Sequence, residues 1–374
     1  MDIDLTQDQE LLLETSLRFM ESAYPLTTVR DEAGGGAGPA SSYLEQAGDL
    51  GWFSLLVPEH LGGGSVSGCG VVDCAVVASA RGRWLQPGSF VGTNVAAYAL
   101  AMQGSPEQQA KILPQLMSGT ETATWAHTAP GDDGWPTAGV TATRRGDSYV
   151  ITGTKTLVQD PDRASWILLS VDTDDGPAQF LIPGGADGVL AEANVSMDVT
   201  RLFGRVIFAD AEVPVSAAVG EPGTAGQLIE REVDIASVLT SAESVGAMDR
   251  DFQTALDYAK DRTAFGRPIG SFQAIKHLLA DTSLLLEMSK AMTMAATRAV
   301  GTGAPDAAAV ASMAKAFVGD CSIELAQNCF QVFGGIGFSW EHDQHLYLRR
   351  LTTDAALYGS PSWHRERLCR MGGL

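Results

Sequence analysis

Two stretches of this 374-residue chain carry side chains suited to a phosphate-bearing ligand. In DRTAFGRPIGSFQAIKHLLAD (261–281) an apolar helical pattern ends at Arg262 and resumes after Pro268. That leaves Arg262 and Arg267 in a connection, with Phe265 and Gln273 near them. A guanidinium binds a pyrophosphate through two parallel hydrogen bonds, which suits such a position. In QVFGGIGFSWEHDQHLYLRR (331–350), Gln331 closes a helix, and Gly334-Gly335 let a backbone approach a flat ring or a ribose. Each stretch alone is equally an ordinary interhelical turn. A third candidate, EHDQH, sets His342 and His345 on one helical face beside Glu341, with no third or fourth metal ligand evident. Metal binding is therefore not expected, and a surface or interface role is. A fourth stretch is defined by what it lacks: ALYGSPSWH (356–364) breaks a helical pattern at Gly359-Ser360-Pro361 and contains no Asp, Glu, Cys or Lys.

Bulk properties remove whole classes of function. A formal charge of −20 argues against a nucleic-acid partner, because phosphate backbones require clustered Lys and Arg. The apolar runs are too short to cross a bilayer, and MDIDLTQDQE is unlike a basic-then-apolar signal, so a cytoplasmic protein with no membrane partner is expected. The five cysteines form no CxxC pair and are odd in number, which favours buried free thiols. GGGAGPA lacks the strand, Lys and Ser/Thr of a phosphate loop, and no G-x-S-x-G elbow occurs.

Periodicity divides the chain into three regions. Residues 1–118 read as helical, opening on a capping box of Thr6 with Gln9 ahead of Leu11–Leu13. Residues 119–222 hold short β-branched and aromatic runs split by Gly, Asp and Pro (DSYVITGTKTLV, SWILLSVDT, AQFLIP, GRVIFADAEVP), the pattern of an antiparallel sandwich or barrel. Residues 223–374 return to helical spacing: Phe252, Ala255, Leu256 and Ala259, then Ile275, Leu278, Leu279 and Thr282. An Ala-rich helix follows and stops at Gly334. The expected fold is α+β and multidomain: an N-terminal helical domain, a middle antiparallel β-domain and a C-terminal four-helix bundle.

These motifs together resemble the acyl-CoA dehydrogenase flavoprotein family over nearly the whole chain. GWFSLLVPEHLGG is similar to its N-terminal motif, TAPGDDGW, YVITGTKTLVQD and VIFADAEVP to its β-domain landmarks, and RTAFGRPIGSFQAIKHLLAD to its C-terminal signature. The resemblance implies FAD as cofactor and oxidation of an acyl-CoA thioester to the trans-2-enoyl-CoA. In that reaction a glutamate removes the α-proton while the β-hydrogen leaves as hydride to the flavin. Most members carry the glutamate in a Tyr-Glu-Gly-Thr pattern, and here Tyr358-Gly359-Ser360-Pro361 puts Gly359 in its place. A minority carry it on the first bundle helix, and counting back from Arg262 leads to Ala236. No catalytic residue is therefore assigned. Asp234 is two places away, a rotation of roughly 200° around a helix.

Positions that in the family contact the flavin ring have drifted to Leu157 and Gln159. The adjoining loop reads Thr128-Ala129-Pro130-Gly131-Asp132-Asp133-Gly134. By contrast, the residues implied to hold the ADP half of FAD are intact: Arg262, Phe265, Gln273, Gln331, Gly334 and Gly335. In the family these contacts reach the flavin of a neighbouring subunit. The combination resembles the subunit without a base in actinobacterial heteromeric (α2β2) acyl-CoA dehydrogenases, several of which act on CoA thioesters of steroid side chains. GGIGFSWEHDQHLYLRR is closer to those chains than to short-chain enzymes. The implied partners are a second dehydrogenase-like subunit that binds the acyl-CoA and an acceptor such as electron-transferring flavoprotein. Two other readings stay open: a self-sufficient enzyme using Asp234 or Glu232 as base, and a flavin-free scaffold on the same fold.

Overall fold

The computed structural model describes residues 5–34, 38–131 and 135–373. The N-terminal region folds as α1 (Gln7–Ala23), α2 (Leu26–Glu32), α3 (Ser41–Asp49), α4 (Gly70–Arg83), α5 (Phe90–Gln103), α6 (Pro106–Lys111) and α7 (Leu113–Met117). The capping box forms: Gln9 N donates to Thr6 Oγ1, and Thr6 N donates to Gln9 Oε1. The apolar run after α3 buries Trp52, Phe53, Leu55, Leu56 and Val57. Helices α4 and α5 are buried on nearly every side, so they carry no polar face.

The middle region contains β1 (Ala123–Ala126), β2 (Val140–Arg145), β3 (Ser148–Gln159), β4 (Trp166–Thr173), β5 (Gly176–Pro183), β6 (Val189–Asn194) and β7 (Phe203–Pro214) in one sheet. Pairings β2–β3, β3–β7, β6–β7 and β4–β5 are antiparallel, as the strand pattern suggested. The expectation of a wholly antiparallel domain is corrected at β4, which both β1 and β2 join in parallel. They pair with opposite ends of β4, β1 with Trp166–Leu169 and β2 with Asp172–Thr173, while β5 takes the other edge. Tyr149, Ile151, Phe180, Val206 and Phe208 fill a core belonging to this region.

The C-terminal region consists of α8 (Gly226–Asp261), a hairpin of β8 (Thr263–Ala264) and β9 (Arg267–Pro268), α9 (Gln273–Thr302), α10 (Ala307–Phe333), α11 (Gln344–Ala356) and α12 (Pro361–Met371). The bundle thus has a fifth, short helix beyond the four expected, and α12 packs on α10. Ala255, Ala259, Leu279 and Thr282 are buried, and Phe252, Leu256, Ile275 and Leu278 pack partly buried against the core. Helix α8 also packs on α4 and α5, so the two helical regions share one core. All five cysteines are free; Cys74, Cys321 and Cys329 are buried as expected, whereas Cys369 is exposed.

Where the three regions meet, six charged side chains lie buried together. Arg350 Nε donates to Asp198 Oδ2 at 3.0 Å, and its Nη2 donates to Leu85 O at 2.9 Å. Arg201 pairs with Asp198 at 2.7 Å and also with Asp354. Glu243 accepts long contacts of 3.6 and 3.7 Å from Arg81 and Arg201. Burial alone would raise Asp198, but Arg350 and Arg201 together bring it down to about 2. Glu243 goes the other way: burial and nearby Asp354 outweigh its distant arginines and raise it. Arg350→Ala is expected to cost about 3–5 kcal/mol in urea unfolding, because it removes one of the two cations on buried Asp198 and the donor to Leu85 O, and a loss under about 1 kcal/mol would contradict this account.

Candidate functional site

The six residues implied to hold a nucleotide come from two chain segments, and the bundle brings those segments together. Helices α8 and α10 run the same way because α9 reverses between them. The rings of Tyr258 and Phe333 lie 5.0 Å apart at their shared end. At the end of α8, Arg262 N donates to Tyr258 O and Ile269 N to Arg262 O, both at 2.8 Å, which closes the 262–269 connection. Phe265 and Gly266 form the hairpin tip with φ of +51° and +80°. Phe265 is 95% exposed. Arg262 and Gln273 are exposed, and neither guanidinium of Arg262 and Arg267 has a carboxylate partner among the described residues. The Arg267 guanidinium rests on the Phe272 ring at 4.1 Å.

At the end of α10, Gln331 is exposed and Gly334 terminates the helix at φ +64°. A Cβ added at Gly334 or Gly335 would meet nothing within 4 Å. Ile336, Phe338 and Trp340 follow, all exposed. This end of an otherwise acidic chain therefore presents two arginines, a bare glycine backbone and uncovered apolar rings. His342 precedes α11, so the histidine pair does not share a helical face. His342 packs on Phe333 and His345 on Trp340. No cluster of three or more metal-ligating side chains occurs among the described residues.

The turn at 356–364 is built tightly. Tyr358 and Gly359 adopt φ of +56° and +102° between α11 and α12. Buried Lys315 donates to Asp354 O at 2.9 Å, Ala355 O at 3.0 Å and Gly359 O at 3.1 Å. It thereby caps carbonyls that the end of α11 leaves open. Burial lowers this amine to about 8. A Cβ at 359 would lie 2.5 Å from Trp363 Cε3 and 2.9 Å from His364 Nε2. The glutamate's place in the motif is thus taken by the one residue type that both the dihedral and the packing admit.

Ala236, the other position where the resemblance implies a base, is fully buried within α8. Asp234 is ion-paired to Arg367 Nη1 at 2.8 Å, and Arg367 Nη2 also binds Glu230. Burial raises Asp234, with Arg367 opposing. Glu232, one turn before Ala236, is buried and accepts from Gln179 Nε2 on β5 at 2.5 Å. Burial without a cation holds its carboxyl well above the usual range.

The positions corresponding to the flavin ring offer it little. Leu157 has φ +52° at a bulge in β3 and no hydrogen-bonding side chain. Gln159 directs its amide to Gly88 O at 2.7 Å. Asp132, Asp133 and Gly134, expected as an acidic loop, lie outside the described residues. Trp125 and His127, which carried no signal in the sequence, stack with Tyr358 in the interior between β1 and the 356–364 turn.

Two measurements follow. Gly359→Glu should destabilise the chain by about 2 kcal/mol or more, since a non-glycine at this φ costs about 1–3 kcal/mol before the ring clashes are counted. Wild-type stability in urea, or dehydrogenase activity of the isolated variant, would contradict that. Burial holds the Glu232 carboxyl well above the ordinary glutamate range when folded, so it subtracts stability as pH rises through that ordinary range, where the unfolded chain's carboxyl ionises first. Glu232→Gln should therefore gain stability over wild type increasingly with pH across that window, and a pH-independent difference would refute the assignment.

Comparison with known proteins places this geometry. Residues 6–120 match the acyl-CoA dehydrogenase N-terminal domain, and residues 227–371 match the acyl-CoA dehydrogenase C-terminal domain. The chain is 30% identical over 356 residues to the acyl-CoA dehydrogenase IpdE2 of Mycobacterium tuberculosis, covering 90% of this chain and 91% of that one. Among solved structures, the ChsE4–ChsE5 complex of Mycobacterium tuberculosis superposes with a TM-score of 0.88 at 26% identity, covering 100% of this chain and 99% of that one. The Tcur3481–Tcur3483 steroid acyl-CoA dehydrogenase shares the fold with a TM-score of 0.88 at 24% identity, covering 98% of each chain. Family members are oxidoreductases that bind FAD. With two domain matches and a relative of this identity along nearly its full length, the chain belongs to the acyl-CoA dehydrogenase family.

Proposed function

We propose that this chain is the subunit without a base in a heteromeric FAD-dependent acyl-CoA dehydrogenase. In this reading Arg262, Phe265, Gln273, Gln331, Gly334 and Gly335 hold the ADP half of a FAD whose ring lies in a partner subunit. The observation that carries the reading is a contrast between two ends of one bundle. The base position is occupied by a glycine under a lysine cap, while the nucleotide end is open and carries Arg262 and Arg267, neither with a carboxylate partner among the described residues. A carboxylate is needed to take a proton from carbon, and neither family position supplies one.

The candidate substitutes fit poorly. Asp234 is held by Arg367 and Glu232 by Gln179, so neither is a free carboxylate. The chemistry that a bound FAD would supply is acceptance of the hydride. This chain's part is to bind and orient the cofactor: the guanidinium of Arg262 on the pyrophosphate, the amides of Gln273 and Gln331 as polar contacts, and Gly334-Gly335 as a backbone that admits close approach. The uncovered rings of Phe265, Phe338 and Trp340 at this end suit a surface that a second subunit covers. An α2β2 assembly, a partner that binds the acyl-CoA, and electron-transferring flavoprotein as acceptor complete the proposal. The substrate class proposed is a steroid side-chain CoA thioester, on the similarity of GGIGFSWEHDQHLYLRR.

Purified alone, the chain should be colourless or weakly flavinylated and inactive. Co-expressed with a partner carrying the glutamate, it should give a yellow, active complex. Arg262→Ala in this chain should lower the FAD content of that complex about tenfold or more at fixed concentration, since loss of a charge-assisted bidentate contact is worth about 1.5–3 kcal/mol. A lone chain that binds stoichiometric FAD and oxidises an acyl-CoA would overturn the proposal. A complex indifferent to Arg262→Ala would favour the flavin-free scaffold.

A further inference from the structure

We propose that the cleft between α6–α7 and the open ends of β4 and β5 is a binding site for a small organic cation with an apolar body, such as an alkylammonium. Its volume is about 500 Å³, inside the range of roughly 300–1,000 Å³ usual for small-molecule sites. It shares no residue with Gly359, Ala236 or the nucleotide segments. Two polar pins set its walls apart. In α6, buried Gln108 donates its N to Ser105 Oγ at 3.2 Å. Its Nε2 donates to Ser216 O at 3.3 Å and Ala218 O at 3.2 Å, past the end of β7. Beyond α7, Glu121 Oε2 accepts from Trp166 Nε1 at 2.6 Å, at the first residue of β4. The helical segment is thus tied to the β-domain near both of its ends, and the two stand apart between the ties. The space is part of the fold and needs no ligand to open it.

The lining selects the ligand. Ile112, Trp166, Leu181, Pro183, Val213 and Pro214 supply apolar surface, and Glu107, Glu121 and Glu212 supply three carboxylates. The one cation of the lining, Lys111, is taken by Glu107 at 2.7 Å. Glu121 and Glu212 have no basic partner among the described residues. Each accepts from a neutral donor at 2.6 Å, Glu121 from Trp166 Nε1 and Glu212 from Ser148 Oγ, so each keeps its charge uncompensated. A nucleotide, a CoA ester or a fatty carboxylate would meet repulsion here. An alkylammonium matches both features: its chain covers the apolar surface, and its head meets the carboxylates and the Trp166 ring, whose face attracts a cation. The bond to Glu121 already fixes that indole, so binding need not order it.

Calorimetric titration of the full chain with decyltrimethylammonium, decanoate and decanol tests this. Saturable binding of one decyltrimethylammonium per chain is expected, weakening as NaCl is raised, with decanoate weaker by about tenfold or more. Ser216 is exposed beside the cleft, so Ser216→Trp should fill the space and abolish binding at unchanged Tm. Glu121→Gln keeps an acceptor for Trp166 Nε1 and should weaken the ammonium about threefold while leaving decanol unchanged. Glu10→Gln, on the exposed face of α1, is the control and should change nothing. Absence of ammonium binding, or decanoate binding as tight as the ammonium, overturns the proposal. So does binding that survives Ser216→Trp, or that Glu10→Gln weakens as much as Glu121→Gln does, since either shows diffuse attraction to an acidic surface. Ser216→Trp decides the matter alone if Glu121→Gln does not fold.

Discussion

The buried meeting of Asp198, Arg201, Arg350, Asp354, Glu243 and Arg81 is the constraint on which the remaining geometry depends. Three cations and three anions from the N-terminal helices, the β-domain and the bundle lie out of water together. Desolvation makes each costly alone, so the three regions keep one mutual arrangement or lose the pairing entirely. Asp354 is where this network passes into the site. Its carboxylate receives Arg201, while its backbone carbonyl receives Lys315, which also binds Gly359 O. The 356–364 turn is therefore anchored to the same cluster that fixes the domains.

From that anchor the molecule divides into a closed half and an open half. Around Gly359 the contacts turn inward: lysine on carbonyls, histidine on carbonyl, ring on ring. At the other end of the bundle Arg262 has no carboxylate partner among the described residues, the glycines after α10 face open space, and Phe265, Phe338 and Trp340 are uncovered. A protein that binds ligand in its own interior has reason to leave that interior free. A protein that completes a neighbour's site has reason to keep its edge free instead. The open edge and closed interior of this chain fit the second arrangement, as the proposed function requires.

How much of this was legible in the sequence depended on whether a signal was local. The Thr6–Gln9 box, the stop at Gly334, the helical faces of α8 and α9 and the break at Gly359 each rest on neighbours within a turn or two, and each forms as expected. The parallel pairing of β1 and β2 with β4 was invisible, because strand sequences encode alternation and not partner direction. His342 fell just outside a helix for a similar reason: α11 starts at Gln344, and spacing alone does not mark that boundary. Lys315 and Lys155 carried no signal in the sequence, and each is buried on three carbonyls supplied by chain well away from it in sequence. The stack of Trp125, His127 and Tyr358 joins residues more than two hundred positions apart, and no single-sequence pattern connects them. The missing carboxylate was plain in the sequence; what had replaced it was not.

The central claim, that this chain supplies no base, is tested most directly in a co-purified complex whose partner has its candidate glutamate changed to glutamine while this chain stays wild type. Under anaerobic mixing with acyl-CoA, the account predicts that the flavin's visible absorbance is unchanged, because no carboxylate remains to take the α-proton. Bleaching at the rate of the unmodified complex would contradict it.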